Sequence, residues 1–271
     1  MNAVFAFHPR NEGKLAYISD GSPASDRCSL FWLGGFKSSM TGEKATALAT
    51  WAESTGRHLL RFDYSGHGGS EGDFLDGSIS LWLDQAIDMF RTLAPGPRII
   101  LGSSMGGWLA LLLLRRLKID CPDDAARIRG LILLAPAIDM TEALISQAMT
   151  PEEHEQLARH GKAERPSDYD DGPYVITRKL LEDGRSHLLL GTAFQVCCPV
   201  RILHGDADPD VPWQHGLKTF EMLAGKDVNF ALLKGRDHRL SDPRSLKLLV
   251  DTAAELCSAA DDVTAPPPEA P

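Results

Sequence analysis

The sequence lacks an excess of positive charge. Its 271 residues include 28 Lys and Arg against 37 Asp and Glu, which gives a net charge of −9 at pH 7. Proteins that bind nucleic acid normally present a basic face to the phosphates. We therefore expect no nucleic-acid partner, and we interpret the acidity as a source of solubility.

Long hydrophobic runs are also missing. The longest extends only from Trp108 to Leu114, whereas a helix needs about 20 apolar residues to cross a bilayer. The first residues do not combine a basic region with an apolar stretch, and they are not rich in Arg and Ser. Neither a secretory signal nor a transit peptide is predicted. We expect a cytoplasmic protein with no stable membrane anchor.

The cysteines form no recognisable framework. They are odd in number and scattered, which excludes a regular set of disulfides and the spacing of a zinc site. We expect no metal and no cofactor. Cys197 and Cys198 directly precede a predicted strand and are interpreted as small buried residues. The five cysteines are Cys28, Cys121, Cys197, Cys198 and Cys257.

Short apolar strands alternate with helices along most of the chain. This alternation predicts an α/β fold with a mostly parallel, doubly wound sheet that is covered on both faces. Residues 1–260 are expected to form a single domain, and the proline-rich residues 261–271 a disordered tail. The polar segment from about 138 to 195 interrupts the alternation and is predicted to be a small helical lid, too short to bury a core of its own.

The predicted elements set the positions of the loops. The predicted strands are 4–8, 14–19, 28–33, 58–64, 98–101, 130–135, 199–204 and 228–233. The predicted helices are 41–56 with Thr41 as its N-cap, 78–93, 108–114, 213–223 and 241–256, with 140–149 and 153–160 inside the lid. Doubly wound sheets place their sites at the carboxyl ends of strands, so the loops after these strands are the places to search.

A serine with glycine two residues before it and two after it follows the strand 98–101. Residues 102–106 read Gly-Ser-Ser-Met-Gly, and only Ser104 has both glycines at that spacing; Ser103 does not. The pattern is that of a nucleophile elbow, a strained strand-to-helix turn that exposes the serine hydroxyl. Side chains at the glycine positions would clash there. Ser104 is therefore the candidate nucleophile.

A serine hydroxyl needs a base, which in this architecture follows both the nucleophile and the acid. Six histidines come after Ser104, three of them in the lid. His204 leaves a strand directly, and His215 falls in the first turn of a predicted helix, where we expect a surface residue. His238 lies in the loop after the last predicted strand and is the candidate base.

The acid is expected in the loop after the preceding strand, where three aspartates compete. We choose Asp208, because it lies far enough beyond the strand to turn inward. Asp206 is the alternative, and Asp210 is interpreted as a helix-capping or surface residue. The acid would orient His238 and stabilise its imidazolium form.

Acyl transfer also needs donors for the developing oxyanion. One is expected to be the backbone N–H of Met105, directly after the nucleophile, and the other the backbone N–H of Phe36, in the loop after the strand 28–33. Paired glycines at 34 and 35 would let that loop approach a ligand closely. His67, in a glycine-rich loop, is interpreted as part of a structural turn.

These motifs resemble those of serine hydrolases of the α/β-hydrolase superfamily. More narrowly, the chain is similar to the mitochondrial acyl-protein thioesterases of the α/β-hydrolase-domain group, which are also described as acyl-glucuronide esterases. The likeness spans about residues 28–250 in order and spacing. The stretches that carry it are Arg61-Phe62-Asp63-Tyr64-Ser65-Gly66, Gly102-Ser103-Ser104-Met105-Gly106-Gly107-Trp108, Arg201-Ile202-Leu203-His204-Gly205, Val211-Pro212-Trp213 and Asp237-His238-Arg239.

The resemblance implies a triad of Ser104, Asp208 and His238, a lid over the site, and acyl esters or thioesters as substrates. It favours Asp208 over Asp206. Two departures matter: Gly34 stands where many members have histidine, and an organelle-targeting extension is not seen, so a mitochondrial location is not inferred. Peptide-bond or carbon–carbon bond hydrolysis on the same triad remains the alternative. We predict a hydrolase acting on a small-molecule or acylated substrate, whose oligomeric state the sequence does not specify.

Overall fold

A mostly parallel sheet lies at the centre of the molecule. The computed structural model describes residues 5–23, 27–165 and 174–264, and within these ranges eight strands join in one sheet. In chain order the sheet strands are β1 (Ala6–Arg10), β2 (Gly13–Asp20), β3 (Ser29–Leu33), β4 (Leu59–Phe62), β5 (Arg98–Ser103), β6 (Ile128–Leu134), β10 (Val200–Gly205) and β12 (Val228–Leu233). Their spatial order is β1-β2-β4-β3-β5-β6-β10-β12.

Helices cover both faces of this sheet. They are α1 (Glu43–Ser54), α2 (Ile79–Leu93), α3 (Met105–Asp120), α4 (Pro122–Ala126), α5 (Pro151–His160), α6 (Arg178–Gly184), α7 (Trp213–Met222) and α8 (Pro243–Thr264). The short strands β7 (Lys162–Arg165) and β8 (Tyr174–Thr177) pair with each other, and β9 (Phe194–Gln195) pairs with β11 (Leu223–Ala224). None of the helices in the described ranges is long and apolar enough to cross a membrane.

The central strands are continuous apolar runs because both of their faces are covered. Every residue of β3, β4 and β5 is buried. On one face the core contains side chains of α2 and α3, including Trp82 and Trp108, and on the other it contains side chains of α1 and α8, including Leu48 and Leu256. The predicted α/β class and mostly parallel sheet are confirmed. The expected opening hairpin is present as the antiparallel pair β1–β2.

The strands that precede the predicted site residues all point the same way. The neighbouring pairs β3–β5, β5–β6, β6–β10 and β10–β12 are all parallel. The loops after β3, β5, β10 and β12 therefore leave the sheet at one edge. These loops carry Phe36, Ser104, Asp208 and His238, respectively.

Several helix boundaries differ from prediction: α3 extends beyond the predicted 108–114 at both ends, and the differences in α1 and α8 have identifiable causes. α1 begins at Glu43 with Gly42 at its N-cap position, not Thr41, because residues 39–42 form a turn in which the Gly42 amide donates to the Ser39 carbonyl at 3.1 Å. α8 continues to Thr264, four residues into the segment predicted to be a tail. Asp261 is held there, accepting from the backbone amide of Cys28 at 2.6 Å. The rest of that segment, 265–271, lies outside the described residues.

The segment predicted as a lid contains several short elements. Where a helix over 140–149 is predicted, the chain instead forms a π-helix at Thr141–Ile145 and a 3₁₀ turn at Ser146–Ala148. α5 follows with a complete capping box between Thr150 and Glu153. Buried apolar residues of this segment form a small cluster of Leu157, Ala163, Ile176 and Leu181. Residues 166–173, within the predicted lid, are outside the described part of the chain.

Cys197 does not have the buried position predicted for it. It is exposed, and Cys198 is half-buried. Both lie in the connection between β9 and β10, outside the sheet, where Cys198 packs against the apolar core and Cys197 is exposed. The two cysteines that are buried are Cys28 and Cys257.

Candidate active site

Ser104 lies on a sharp turn between β5 and α3. Its backbone has φ 53° and ψ −117°, a conformation that costs energy for a residue other than glycine. The strain is held by the surrounding backbone: the Ser104 amide donates to the Leu134 carbonyl at 2.9 Å, and its carbonyl accepts from Gly107 at 2.9 Å. This is the geometry expected of a nucleophile elbow, with the hydroxyl at the carboxyl edge of the sheet.

The two glycines of the elbow leave room for other backbone. A Cβ on Gly102 would lie 2.3 Å from the Gly106 carbonyl oxygen, and a Cβ on Gly106 would lie 2.1 Å from the Leu33 carbonyl oxygen. Neither approach is possible for a larger residue. Ser103 is the last residue of β5 and is largely buried, at 9% exposure. The spacing argument that selects Ser104 over Ser103 thus has a steric basis in the fold.

Asp208 and His238 are bonded to each other across two loops. His238 Nδ1 lies 2.8 Å from Asp208 Oδ2, and the Asp208 side chain is fully buried while that of His238 is 17% exposed. The other carboxylate oxygen accepts from the backbone amides of Val211 at 2.8 Å and Asp210 at 2.9 Å. Asp208 is therefore locked in one orientation, and His238 presents its other nitrogen away from the acid.

The charge on Asp208 is maintained in spite of its burial. Burial acts to raise the pKa of the carboxyl, but hydrogen bonds from His204, His238 and the Val211 amide hold that pKa well below its usual range. His204 Nε2 lies 2.9 Å from the Val211 carbonyl oxygen and 3.4 Å from Asp208 Oδ2. Asp208 is thus a carboxylate at neutral pH, as an acid that stabilises an imidazolium requires.

The two other aspartates of this loop have different surroundings. Asp206 forms an ion pair with Lys234 at 2.6 Å and accepts from the Gly235 amide at 2.5 Å, on the outer side of the loop. Asp210 is exposed and lies close to the Asp208–His238 pair. Of the three predicted candidates, Asp208 is the one whose carboxylate bonds His238.

The loop after β3 lies against the elbow. A Cβ on Gly35 would be 3.4 Å from the Cβ of Ser104 and 3.3 Å from the Ser103 carbonyl oxygen, so this backbone passes close to the nucleophile. Phe36 follows, and Met105 begins α3, where the first amides of a helix have no partner within the helix. The two predicted oxyanion donors thus belong to segments on either side of Ser104.

Asp63 holds this loop in place. Its carboxylate accepts from the Met40 amide at 2.6 Å and from the Gly69 amide at 2.8 Å, which ties the loop after β3 to the loop after β4. Burial raises the pKa of Asp63, and the two backbone hydrogen bonds oppose that rise. Arg61 adds a bond to the Met40 carbonyl at 3.0 Å.

The Phe36 side chain packs against a cluster of aromatic rings. The Phe36 ring lies 5.0 Å from that of Phe74 and 6.0 Å from that of Trp82, and His67 lies 5.1 Å from Trp82. Burial lowers the pKa of His67 to about 4, so this ring is neutral at physiological pH. His67 is accordingly a packing residue in the structure, in agreement with the turn assigned to it.

Ser104 and His238 open into one cavity of about 600 Å³. Its apolar side comes largely from the lid segment. Its charged residues come from the loops around the catalytic candidates, from the first turn of α1 and from β7 of the lid segment. The apolar lining includes Phe36, Met140, Leu144, Ile145, Ala148, Tyr174, Ile176 and Val211. The charged side chains of its described lining are Lys37, Lys44, Arg165, Arg239 and Asp210, together with His238.

A metal ion would compete with the acid–base pair. Among the described residues, the cluster with ligand-like spacing is Asp208, Asp210 and His238, whose ligand atoms lie within 4.8 Å of one another. Asp208 and His238 are already bonded to each other, so a metal there would displace their hydrogen bond. That the chain works without metal or cofactor stays a prediction.

Several buried polar residues around the site were not singled out by the sequence. His215, predicted at the surface, is buried, and its Nε2 bonds the Ile138 carbonyl at 2.8 Å where the lid segment begins. Asp139 accepts from the amides of Leu189 and Leu190 and fastens the end of the lid segment to its start. Position along the chain did not reveal these contacts, because each joins residues about 50 or more positions apart.

Comparison with protein families identifies related sequences. A family model described as "Hydrolase_4: Serine aminopeptidase, S33" matches residues 33–165. The palmitoyl-protein thioesterase ABHD10, mitochondrial, of Rattus norvegicus is 32% identical over 238 residues, which cover 87% of this chain and 77% of the rat protein. The rat protein is named as mitochondrial, whereas the cytoplasmic location expected here stays a prediction.

Solved structures agree with this relationship. A putative hydrolase from Agrobacterium vitis S4 superimposes with a TM-score of 0.88 and 39% identity, covering 94% of this chain and 98% of that one. Mouse α/β-hydrolase domain-containing protein 10 superimposes with a TM-score of 0.82 and 30% identity over 95% of this chain and 100% of its own.

Proposed function

Because the chain belongs to the α/β-hydrolase superfamily, and within it to the family of the ABHD10 proteins, we propose that it hydrolyses acyl esters or thioesters through Ser104, Asp208 and His238. The named activity of the rat relative, palmitoyl-protein thioesterase, supports a fatty acyl thioester as one substrate. The observation that carries the proposal is that the strained Ser104 and His238, to which Asp208 is bonded, line one partly apolar cavity.

In the proposed reaction His238 acts as the general base. It takes the proton from the Ser104 hydroxyl while the oxygen attacks the acyl carbonyl. Asp208 keeps the Nδ1 proton of His238 in place and stabilises the imidazolium that forms. His238 then passes the proton to the leaving alcohol or thiol, which departs as an acyl group remains on Ser104. A water molecule activated by His238 releases the acid in the second half of the reaction.

Backbone amides would carry the negative charge of the tetrahedral intermediate. The N–H groups of Phe36 and Met105 are the proposed donors, and a lost donor of this kind typically costs about 10²–10³ in kcat. Gly35 supports this assignment, since it brings the Phe36 segment against the Ser104 side chain. Met105 supports it because the N-terminus of a helix favours negative charge.

The cavity would hold the acyl chain on its lid side. Its volume of about 600 Å³ falls within the ~300–1,000 Å³ common for small-molecule sites. Leu144, Ile145 and Ala148 provide apolar surface that an acyl chain can bury. Burial of each methylene contributes about 0.8 kcal/mol, which favours chains of several carbons over acetyl groups.

Peptide hydrolysis is the second candidate, because the matching family model carries the name of an aminopeptidase. An aminopeptidase must hold a protonated amine beside the scissile bond. The described lining of the cavity has four cationic side chains and one carboxylate, that of Asp210. This balance disfavours a cationic substrate, and we rank ester and thioester hydrolysis first.

Labelling by a fluorophosphonate probe tests the nucleophile. Ser104→Ala is expected to abolish labelling and to lower esterase activity by roughly 10⁴-fold or more. Ser103→Ala is the matched control, expected to retain labelling because its hydroxyl is not on the strained turn. Labelling that survives Ser104→Ala would show that another residue is the nucleophile.

A substrate panel tests the reaction class. Wild-type protein is given an acyl-CoA, a p-nitrophenyl ester and an aminoacyl amide in parallel, with Ser104→Ala as the blank. We expect turnover of the first two with a preference for longer acyl chains. Faster turnover of the amide than of either ester would favour the peptidase instead.

A further inference from the structure

The oxyanion loop and the base loop come from distant parts of the chain, yet they must hold one geometry. The oxyanion loop, residues 34–42, lies between β3 and α1, and the base loop, residues 234–242, lies between β12 and α8. Misplacement of a reacting group by about 1 Å can lower the rate 10²-fold. A link between these two loops would therefore act directly on catalysis.

Lys44, in the first turn of α1, makes such a link. Its ammonium nitrogen donates a hydrogen bond to the backbone carbonyl of Arg239, the residue after His238. Lys44 also lines the cavity with Ser104 and His238. Leu240, the residue after Arg239, belongs to the same apolar cluster as Ala45 of α1, so the base loop and this helix contribute to one core.

We propose that Lys44 is a positioning residue, which holds the backbone that follows His238 against α1 and thereby keeps the base in register with Ser104 and the oxyanion loop. Its hydrogen bond is to the Arg239 carbonyl, so it acts through the backbone beside His238. The inference rests on the proposed function, because it assigns Lys44 a role in that same reaction.

The surroundings of Lys44 give this link a dependence on pH. Burial lowers the pKa of the Lys44 ammonium to about 8, Asp237 and Glu43 oppose that change, and Arg239 adds to it. The ammonium is therefore charged below about pH 8 and neutral above it. A charged donor makes a hydrogen bond roughly twice as strong as a neutral one, so the link weakens as pH rises. The other charged groups around the cavity are Lys37, Arg165 and Asp210, and the imidazole of His238 also lines it.

The test compares Lys44→Met with Lys44→Arg by the rate of fluorophosphonate labelling between pH 7 and pH 9.5. At pH 7 we expect Lys44→Met to label about tenfold more slowly than wild type at saturating probe, with the half-saturating concentration changed less than twofold. Lys44→Arg should label within about threefold of wild type, because arginine supplies a charged donor at every pH in this range.

The pH profile separates positioning from a general loss of structure. As pH rises, the labelling rate of wild type should fall roughly threefold with a midpoint near pH 8. The rates of both variants should not change over this range: Lys44→Met should stay slow and Lys44→Arg should stay close to the wild-type rate at pH 7. Lys226→Met, at an exposed position before β12 and away from the cavity, is the control and should match wild type. Thermal unfolding of each variant checks that it is folded.

Two outcomes would overturn this inference without touching the proposed function. One is Lys44→Met labelling at the wild-type rate at pH 7, and the other is an alkaline decline that persists in both variants. Failure of the proposed function has a different signature, because wild-type protein would then label no better than Ser104→Ala. That result would remove the basis for a role of Lys44 as well.

Discussion

Three aspartates follow β10 within five residues, and only their side-chain environments distinguish them. Asp208 turns inward because both of its oxygens find donors there: the amides of Asp210 and Val211 on one side and His238 on the other. Asp206 bonds Lys234 instead. The order of the candidate nucleophile, acid and base is readable along the chain, whereas the bond that distinguishes Asp208 from its neighbours is the one to His238, which a different loop contributes.

Replacement of these two aspartates tests the assignment of the acid. Asp208→Asn keeps the shape of the side chain but places a neutral amide against His238, so it is expected to lower kcat by roughly 10³–10⁴-fold. Asp206→Asn removes only an exposed ion pair, of a kind typically worth about 0–1 kcal/mol, and should keep kcat within about threefold. Steady-state kinetics with one p-nitrophenyl ester measures both. Similar losses in the two variants would contradict the assignment.

At the scale of elements, the lid segment is where prediction was weakest. Residues 140–149 have helical periodicity, but they form a π-helix and a 3₁₀ turn. At the start of the segment Asp139 has φ 55°, and its carboxylate accepts the amides of Leu189 and Leu190. The chain is attached there to a segment 50 residues away. Hydrophobic periodicity within residues 140–149 contains no information about that attachment.

Ala148 offers a test of the acyl side of the cavity. It lies in the 3₁₀ turn and lines the cavity with Leu144 and Ile145. Ala148→Trp adds a large side chain there and is expected to shift the preferred acyl chain to shorter lengths, lowering kcat/KM for a long-chain ester about tenfold or more relative to a butyryl ester. Gln147→Trp is the control, since Gln147 faces a separate groove. An unchanged chain-length profile for Ala148→Trp would place the acyl chain elsewhere.

At the scale of the whole molecule, the last helix connects the chain's end to its central sheet. Asp261, in the segment predicted to be disordered, forms an ion pair at 2.8 Å with Arg57, which is only 3% exposed. The same carboxylate accepts from the Cys28 amide at the start of β3. Composition predicts a disordered tail from 261, because the end of the chain is rich in proline. It does not report the ion pair between Asp261 and the buried Arg57, since that contact forms only in the folded chain.

Asp261→Ala tests this connection through thermal stability. Loss of the carboxylate leaves the buried Arg57 guanidinium with its bond to the Cys28 carbonyl but without the Asp261 counter-ion. Because Asp261 is 24% exposed, the free energy of unfolding should fall by less than the ~3–5 kcal/mol of a fully buried pair, and the Tm by roughly 5–10 °C. Asp262→Ala is the matched control, because Asp262 is exposed on the same helix and should leave the Tm within about 1 °C. Equal Tm values for the two variants would show that the end of α8 does not stabilise the core.

The sequence by itself determined what depends on local chemistry. Glycine at 102 and 106 marks Ser104 as the candidate nucleophile, since any side chain at either glycine would meet backbone. Apolar runs set the strands, and their order placed the loops with His238 and Phe36 at one edge of a parallel sheet. Tertiary structure alone showed that Asp208 and His238 bond each other, how the lid segment is attached, and that Lys44 bonds the base loop. Each of these depends on donors and acceptors brought together from distant segments, and their proximity exists only once the chain has folded.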